Sequence, residues 1–381
     1  MPIGRREFLR VAAAALAARV SRRYRAAVIG LTGRGNYGHG LDTAFQKLPN
    51  VTLVALADPD PQTRARAQAR AYADWRVMLR QEKPDLVSIG PRWVVDRLEM
   101  VTAAAEAGAS VYMEKPIASS LEEADAIVAA AERHKIKIAV AHQMMLAPAL
   151  VHLKKLVDDG LIGDLLEMRT RGKEDHRAGG EDLMVLGTHC MYLMRYFAGN
   201  PIWCSARVTV EGRDITVADR RAATEPLGPV AGDSIQASYA FPGGIQGHFA
   251  SQRIHRGTGG RFQIALYGSK GAAVVHIDQD PAIYYLSDPL WSPGKTRVQW
   301  KPLPNAPGND DPSGLRGQEA ANNRIVEDLI RAIETGGEPV ASIYEARAAL
   351  EMIMAVYAAH LSGGRVSFPL AERRHPLGSL P

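Results

Sequence analysis

An amine and an imidazole are the first candidates for chemistry in this chain. Lys115 stands in Glu114-Lys115-Pro116, where the proline fixes the chain direction and removes a backbone donor, so the lysine sits on a stiff exit. His189 shares a helical face with Val185, four residues before it, and Tyr192, three after. A lysine serves as general base near neutrality only when burial or a neighbouring cation brings its pKa from roughly 10.4 to about 7–8. Lys173, in the charged run Lys173-Glu174-Asp175-His176-Arg177, is a candidate for that cation. An imidazole needs no such help. His142-Gln143, after an apolar run, is expected at the same end of the fold.

A second chemistry is written in Gly30-Leu31-Thr32-Gly33-Arg34-Gly35. Glycines here suit a turn that presents backbone N–H groups to a pyrophosphate at a helix amino terminus. Gly30 and Gly35 match the dinucleotide spacing, with Thr32 at the middle glycine position, while Gly33 begins a second match three residues late. The expected turn therefore runs from Gly30 to Gly35 into an extended helix start. Asp58, 28 residues after Gly30, is placed to accept a ribose hydroxyl. Pro59 follows it where an arginine would receive a 2′-phosphate, which favours NAD over NADP; Arg64 and Arg66 keep the second open.

These residues need elements that bring them together. Apolar runs at 26–30, 51–58, 85–90, 110–114 and 136–141 have strand length, separated by helical patterns such as 61–73 and 94–107. The alternation predicts an amino-terminal α/β Rossmann domain, a doubly wound parallel sheet whose strand ends carry the candidates. Past Pro148 a helix at 149–159 leads into runs at 165–171, 204–210, 234–241, 245–252, 262–267 and 272–277. Their polar–apolar alternation predicts a carboxyl-terminal α+β domain with a mostly antiparallel open sheet. A helix over 181–197 carries His189, and polar loops at 214–233 and 292–316 follow, one expected to arch over the cleft. The expected division is a tail at 1–23, a nucleotide-binding domain at 24–147 and a substrate domain at 148–381.

Composition narrows the classes. The 381 residues, 46% hydrophobic, suit two cores. The net charge of +5 belongs to the tail: residues 1–25 hold seven arginines and one glutamate, leaving −1 for the rest, so nothing argues for a nucleic-acid partner. Arg5-Arg6-Glu7-Phe8-Leu9-Arg10 and the apolar run 11–18 resemble a twin-arginine export signal, with Ala15-Leu16-Ala17 as a cleavage site. Eight apolar residues are few for such a signal, and a non-functional one would leave the protein cytoplasmic. No later run is long enough to span a membrane. Cys190 and Cys204 give no disulfide framework and no metal-ligand spacing, so no metal is expected.

The glycine-rich turn, the acid closing the second strand, Gly90-Pro91-Arg92 and Glu114-Lys115-Pro116 together resemble the glucose–fructose oxidoreductase / inositol dehydrogenase / MocA family. Residues 262–271 (FQIALYGSKG), 323–332, 341–361 and 366–369 extend the resemblance almost to the carboxyl end. It implies an NAD(P)-dependent oxidoreductase acting on a secondary alcohol of a sugar, polyol or derivative, with Lys115 and His189 handling the proton. It places Gly30, Thr32, Gly33, Arg34, Gly35, Asp58, Pro91, Glu114, Lys115 and Gln143 against the cofactor. Lys173, His176, Tyr192 and His142 fall to the substrate, and the open sheet to a homo-oligomer, dimer or tetramer. In the family the face around His189 typically carries an Asp at each flank; here Val185 and Tyr192 stand instead. Tyr192 and the 173–176 loop are the expected replacements. Two alternatives stay open: NAD-assisted glycoside cleavage through an internal redox cycle, and a non-catalytic nucleotide or sugar sensor. Export would make a dissociable cofactor wasteful, so tight retention is expected.

Overall fold

A computed structural model of the chain describes residues 22–253, 260–308 and 313–380; counts refer to these. The basic tail read as an export signal lies outside the described residues.

The first sheet is parallel and six-stranded: β1 (Tyr24–Ile29), β2 (Val51–Ala57), β3 (Arg70–Tyr72), β4 (Leu86–Ile89), β5 (Ser110–Met113) and β6 (Ile138–Val140), in the order 3-2-1-4-5-6. Strands β4 to β6 are buried throughout, as runs covered on both faces must be. Between them lie α1 (Pro61–Ala65), α2 (Trp75–Glu82), α3 (Arg97–Glu106) and α4 (Leu121–His134). Ser120 caps α4, accepting from the N–H of Glu123. The order reverses between β1 and β4, so the crevice outside those strand ends is where a ligand belongs.

Two expectations about this half change. The helix predicted over 61–73 stops at Ala65, and Arg70–Tyr72 instead pairs parallel with β2 as an edge strand. Its helical pattern offered no buried stripe: α1 has no buried residue. The helix expected after the glycine-rich turn does not form; residues 31–50 run as successive turns. Gly33, Gly35, Asn36, Gly38 and Gly40 all take positive φ, which breaks an i→i−4 ladder and leaves i→i−3 bonds such as Thr43 to Gly40.

After α5 (Pro148–Asp158) and β7 (Leu165–Arg171) come two helices, α6 (Gly180–Val185) and α7 (Gly187–Ala198), where one was expected over 181–197. The second sheet has ten strands. From β8 (Trp203–Val210) it continues through β9 (Ser234–Ala240), β10 (Gln246–Gln252), β11 (Gln263–Gly268), β12 (Gly271–His276) and β13 (Ile283–Leu286). All these pairings are antiparallel except β7 with β10. The last helices are α8 (Gly317–Thr335) and α9 (Ile343–Ser362). α9 is buried along most of its length against β8 and α7, whereas α8 returns to the first sheet and packs beside β5 and β6. One apolar cluster runs through both halves, so the site between them is held on two continuous walls. No helix among the described residues is long and apolar enough to cross a membrane.

Candidate active site

Lys115 leaves the end of β5 on an exit fixed by a buried guanidinium. Arg97, fully enclosed at the start of α3, donates to the carbonyls of Glu114, Pro116, Pro91 and Trp93. A cation with no buried acid in hydrogen-bond contact is expensive unless its donors are engaged; four carbonyls engage its two terminal nitrogens, while Nε is buried without a partner. Burial still pushes Arg97 down to about 10. The clamp ties the ends of β4 and β5 together, and the sequence reading missed it. An arginine opening an apolar helix was the available signal.

The Lys115 ammonium donates to the backbone carbonyl of Val185, 3.1 Å away. That carbonyl is free because the helix breaks there: the N–H of His189 turns to Leu186, three residues back. An acceptor thus survives at position 185 although its side chain offers none. Burial pushes Lys115 below the ordinary lysine range; Glu114 and Glu225 oppose that, while Arg177 and Arg92 reinforce it. The cations acting on it are these two arginines rather than Lys173. Glu114 is fully buried and accepts from the N–H of His39 at 2.6 Å and of Lys115 at 3.0 Å, with His39 Nδ1 also at 2.6 Å. Burial works to raise its carboxyl, but His39 and Lys115 together hold it below the ordinary value.

His189, on the first turn of α7, faces the same space. Lys115 and His189 line one cavity of about 550 Å³, together with His39, Gln143, Lys173 and Phe262. Its far wall is the turn between β12 and β13, with His276, Asp278 and Asp280. Burial drives His189 well below its ordinary pKa, helped by His142 and Lys115, so it acts neutral. The His142 ring stands edge-on to His189, centroids 5.1 Å apart, with Nε2 2.8 Å from the Thr188 hydroxyl and Nδ1 buried without a partner. A larger groove of about 1080 Å³ opens between α2 and α3, away from the strand ends and with none of these residues.

The other sequence candidates divide. Gln143 is buried and donates to Tyr112 Oη and to Asn322 Oδ1, which also receives the Tyr112 hydroxyl; Asn322 Nδ2 then donates to the carbonyls of His39 and Gly40. Asn322, on α8, therefore pins the first turn to β5 from the far end of the chain. Lys173 reaches the cavity but His176 does not: it is exposed, with Nδ1 3.8 Å from Asp175. Tyr192 does not replace a lost acid at the cavity. It is buried, and its hydroxyl donates to the carbonyl of Val340. The 173–176 loop is organised by buried Asp182, which accepts from the N–H groups of Lys173 and Glu174 and from the Ser251 hydroxyl.

The residues at the crevice are of the types a dinucleotide needs, glycines on the first turn and a buried acid at the end of β2. Gly33 and Gly35 take positive φ, and a Cβ on Gly35 would lie 2.7 Å from the Arg92 nitrogen, so the first turn meets the turn after Pro91 where only glycine fits. Arg34 lies over the Trp93 ring at 5.8 Å. A Cβ on Gly30 would strike the Tyr37 ring at 2.1 Å, so that glycine makes room for a side chain. Thr32 braces the turn, giving its N–H (3.1 Å) and hydroxyl (2.9 Å) to Asp58. Asp58 is buried, and a ribose reaching it would share it with Thr32. Among the described residues no group of His, Cys, Asp and Glu could hold a metal ion.

Known proteins share this fold. A model described as "Oxidoreductase family, NAD-binding Rossmann fold" (GFO_IDH_MocA) matches residues 24–142, and one for the GFO/IDH/MocA C-terminal domain matches 150–274. Levoglucosan dehydrogenase of Pseudarthrobacter phenanthrenivorans is 24% identical over 351 residues, covering 81% of this chain and 90% of that protein. The 2,7-anhydro-N-acetylneuraminate hydratase of Mediterraneibacter gnavus is 30% identical over 139 residues, 36% of this chain and 37% of its own. Among solved structures, a levoglucosan dehydrogenase complex with NADH and levoglucosan has the same fold: TM-score 0.73 at 21% identity, over 92% of this chain and all of that one.

Proposed function

The chain belongs to the Gfo/Idh/MocA oxidoreductase family, and on that premise we propose that it oxidises a secondary alcohol of a neutral sugar, anhydrosugar or polyol with NAD. One observation carries this reading: Lys115, at the exit of a strand, and His189, on a helix 74 residues later, line a single cavity. When bound, NAD supplies the hydride acceptor at C4 of its ring. The chain's own residues do the rest. The Lys115 amine, brought down by burial, takes the hydroxyl proton as the C–H hydride leaves. Neutral His189 offers the hydroxyl a hydrogen-bonding partner on the opposite side. The Val185 carbonyl accepts a hydrogen bond from the ammonium that results. Phe262 gives an apolar surface for a sugar's C–H face, and Asp278 and Asp280 give acceptors for its remaining hydroxyls.

Asp58 supports NAD over NADP. So does the engagement of Arg64 with the carbonyls of Asp58 and Pro59, and of Arg66 with that of Gln62, which leaves neither turned to a 2′-phosphate. The expected result in a nucleotide titration is NAD binding at least about tenfold tighter than NADP, a difference of roughly 1.4 kcal/mol.

The test is stopped-flow absorbance of purified protein with NAD and a panel of anhydrosugars, aldoses and polyols. NADH is expected in the first turnover with at least one of them. K115M should lose about 10²–10⁴-fold in kcat with nucleotide affinity kept; NADH formation at the wild-type rate would reject the amine's role. The partial likeness to a hydratase favours a second reading, an internal redox cycle that cleaves or hydrates its sugar. Product release without net NADH would move the assignment there, and absence of both would leave a sensor.

A further inference from the structure

His39 stands between a buried acid and open space. Its ring Nδ1 lies 2.6 Å from Glu114 Oε1, and its backbone N–H donates to the same oxygen, also at 2.6 Å. The other oxygen of that carboxylate, Oε2, accepts from the N–H of Lys115 at 3.0 Å. One carboxylate therefore ties the imidazole to the strand exit that carries the lysine. The backbone on either side of the ring is pinned as well. A Cβ on Gly38, at φ +59°, would overlap the Glu114 carboxylate, so only glycine lets the turn come this close. From α8, Asn322 Nδ2 holds the carbonyls of His39 at 2.9 Å and Gly40 at 3.1 Å. The Glu114 side chain is 0% exposed and that of His39 36%, so the ring leads outward from the acid. Lys115 and His39 both line the cavity of about 550 Å³.

We infer that His39, oriented by Glu114, carries to solvent the proton that oxidation of the alcohol leaves on Lys115. This role rests on the reading of Lys115 as the proton acceptor. Each turnover adds one proton to the amine, and the next cannot begin until that proton leaves. The amine is buried, and the Val185 carbonyl that receives its hydrogen bond takes no proton away. Burial works against a charge on Glu114, but His39 and Lys115 keep it ionised, so it can only accept. The ring proton is then on Nδ1 and the lone pair on Nε2. That tautomer is the one a relay needs. The proton passes from the Lys115 ammonium to Nε2 through water, for which the cavity has room. The imidazolium keeps its Nδ1–H on Glu114, whose charge pairs with it, and gives up the Nε2 proton to solvent. Amine, imidazole and carboxylate all return to their starting states, and over a turnover alcohol and NAD become ketone, NADH and a free proton. His142 and His189 cannot serve in this way, because burial holds both far below the range in which an imidazole takes up a proton near neutrality.

His39→Gln keeps an N–H donor for Glu114 and removes the nitrogen that takes up a proton. Stopped-flow mixing with NAD and an alcohol the native protein oxidises, in weak buffer at an alkaline pH where Lys115 starts neutral, follows both products. NADH is read by its own absorbance and the proton by an indicator dye. In the native protein the two signals should rise together. In H39Q the proton is expected to lag NADH, with a release rate lower by about tenfold or more. His39→Ala should show the same lag, and added imidazole should raise its steady-state kcat in proportion to concentration, which a merely structural defect would not allow. Proton and NADH in step in H39Q, or an H39A protein that binds NAD yet gains nothing from imidazole, overturns the role.

Failure of the assigned reaction gives a different result. If the native protein yields no NADH with any alcohol, there is no proton to carry, and the reaction and this role fall together. NADH from the native protein with release in step in H39Q removes this role alone. A readout without turnover checks the free nitrogen itself. Diethyl pyrocarbonate acylates a neutral imidazole nitrogen that is free and reachable, so His39 should be modified near neutral pH, mapped by mass spectrometry, and His142, sealed in the core, far more slowly. A His39 left unmodified overturns the role whatever the alcohols do.

Discussion

At the residue scale, burial decides protonation here more than any single partner does. Lys115 is a strand-end amine pushed below its ordinary range because little water reaches it, so the oxidation rate should rise with pH through a value below the ordinary lysine pKa, a profile K115M would abolish. His142 shows the same effect on stability: burial, with the Lys115 charge, lowers it from 6.5 to about 3. Its folded pKa lies below its unfolded one, so the unfolded state binds more protons between those values. The contribution is present above about pH 6.5 and is lost as pH falls toward about 3. Urea titrations at pH 7 and pH 4.5 should show a loss of about 2 kcal/mol that H142F reduces. Equal pH dependence in the two proteins would place that loss on other groups. His142, His189 and Lys115 were legible as residue types; which of them stays neutral was not, because burial is set by neighbours far along the chain.

At the scale of elements, the site depends on two breaks in regular structure. The interruption at Leu186 frees the Val185 carbonyl for Lys115, and the run of positive φ after Gly33 keeps the first turn open where a helix was expected. Neither could be read from periodicity, since 181–197 has one continuous helical pattern and a glycine-rich turn is compatible with either a helix start or a chain of turns. Arg97 is the element-scale clamp. R97M leaves the carbonyls of Pro91, Glu114 and Pro116 buried without donors and should cost about 3 kcal/mol or more in urea denaturation. A loss under about 1 kcal/mol would mean that water takes over those carbonyls.

On the scale of the whole molecule, the cavity exists because the chain crosses between its halves several times. Helix α8 returns Asn322 to the first turn, the loop over residues 223–228 carries Leu227 to Val94, and the β12–β13 turn closes the far wall. N322A should weaken NAD binding by about tenfold with the alcohol's KM at saturating NAD changed less, since Asn322 holds the carbonyls of His39 and Gly40 and does not itself line the cavity. We propose, too, that the Arg5-Arg6 tail directs export; replacing both by lysine should hold the protein in the cytoplasm on cell fractionation, and unchanged fractionation would reject the signal.

The sequence by itself determined the parallel sheet, the mostly antiparallel one, the strand-end position of Lys115 and the helical position of His189. Each follows from local periodicity, glycine and proline placement, and the rule that ligands meet parallel sheets at their carboxyl ends. Only the tertiary structure decided that Tyr192 turns to Val340, that His176 faces solvent, and that a backbone carbonyl accepts from the Lys115 amine. Those outcomes depend on contacts between segments tens to hundreds of residues apart, and side-chain type carries no record of such distances.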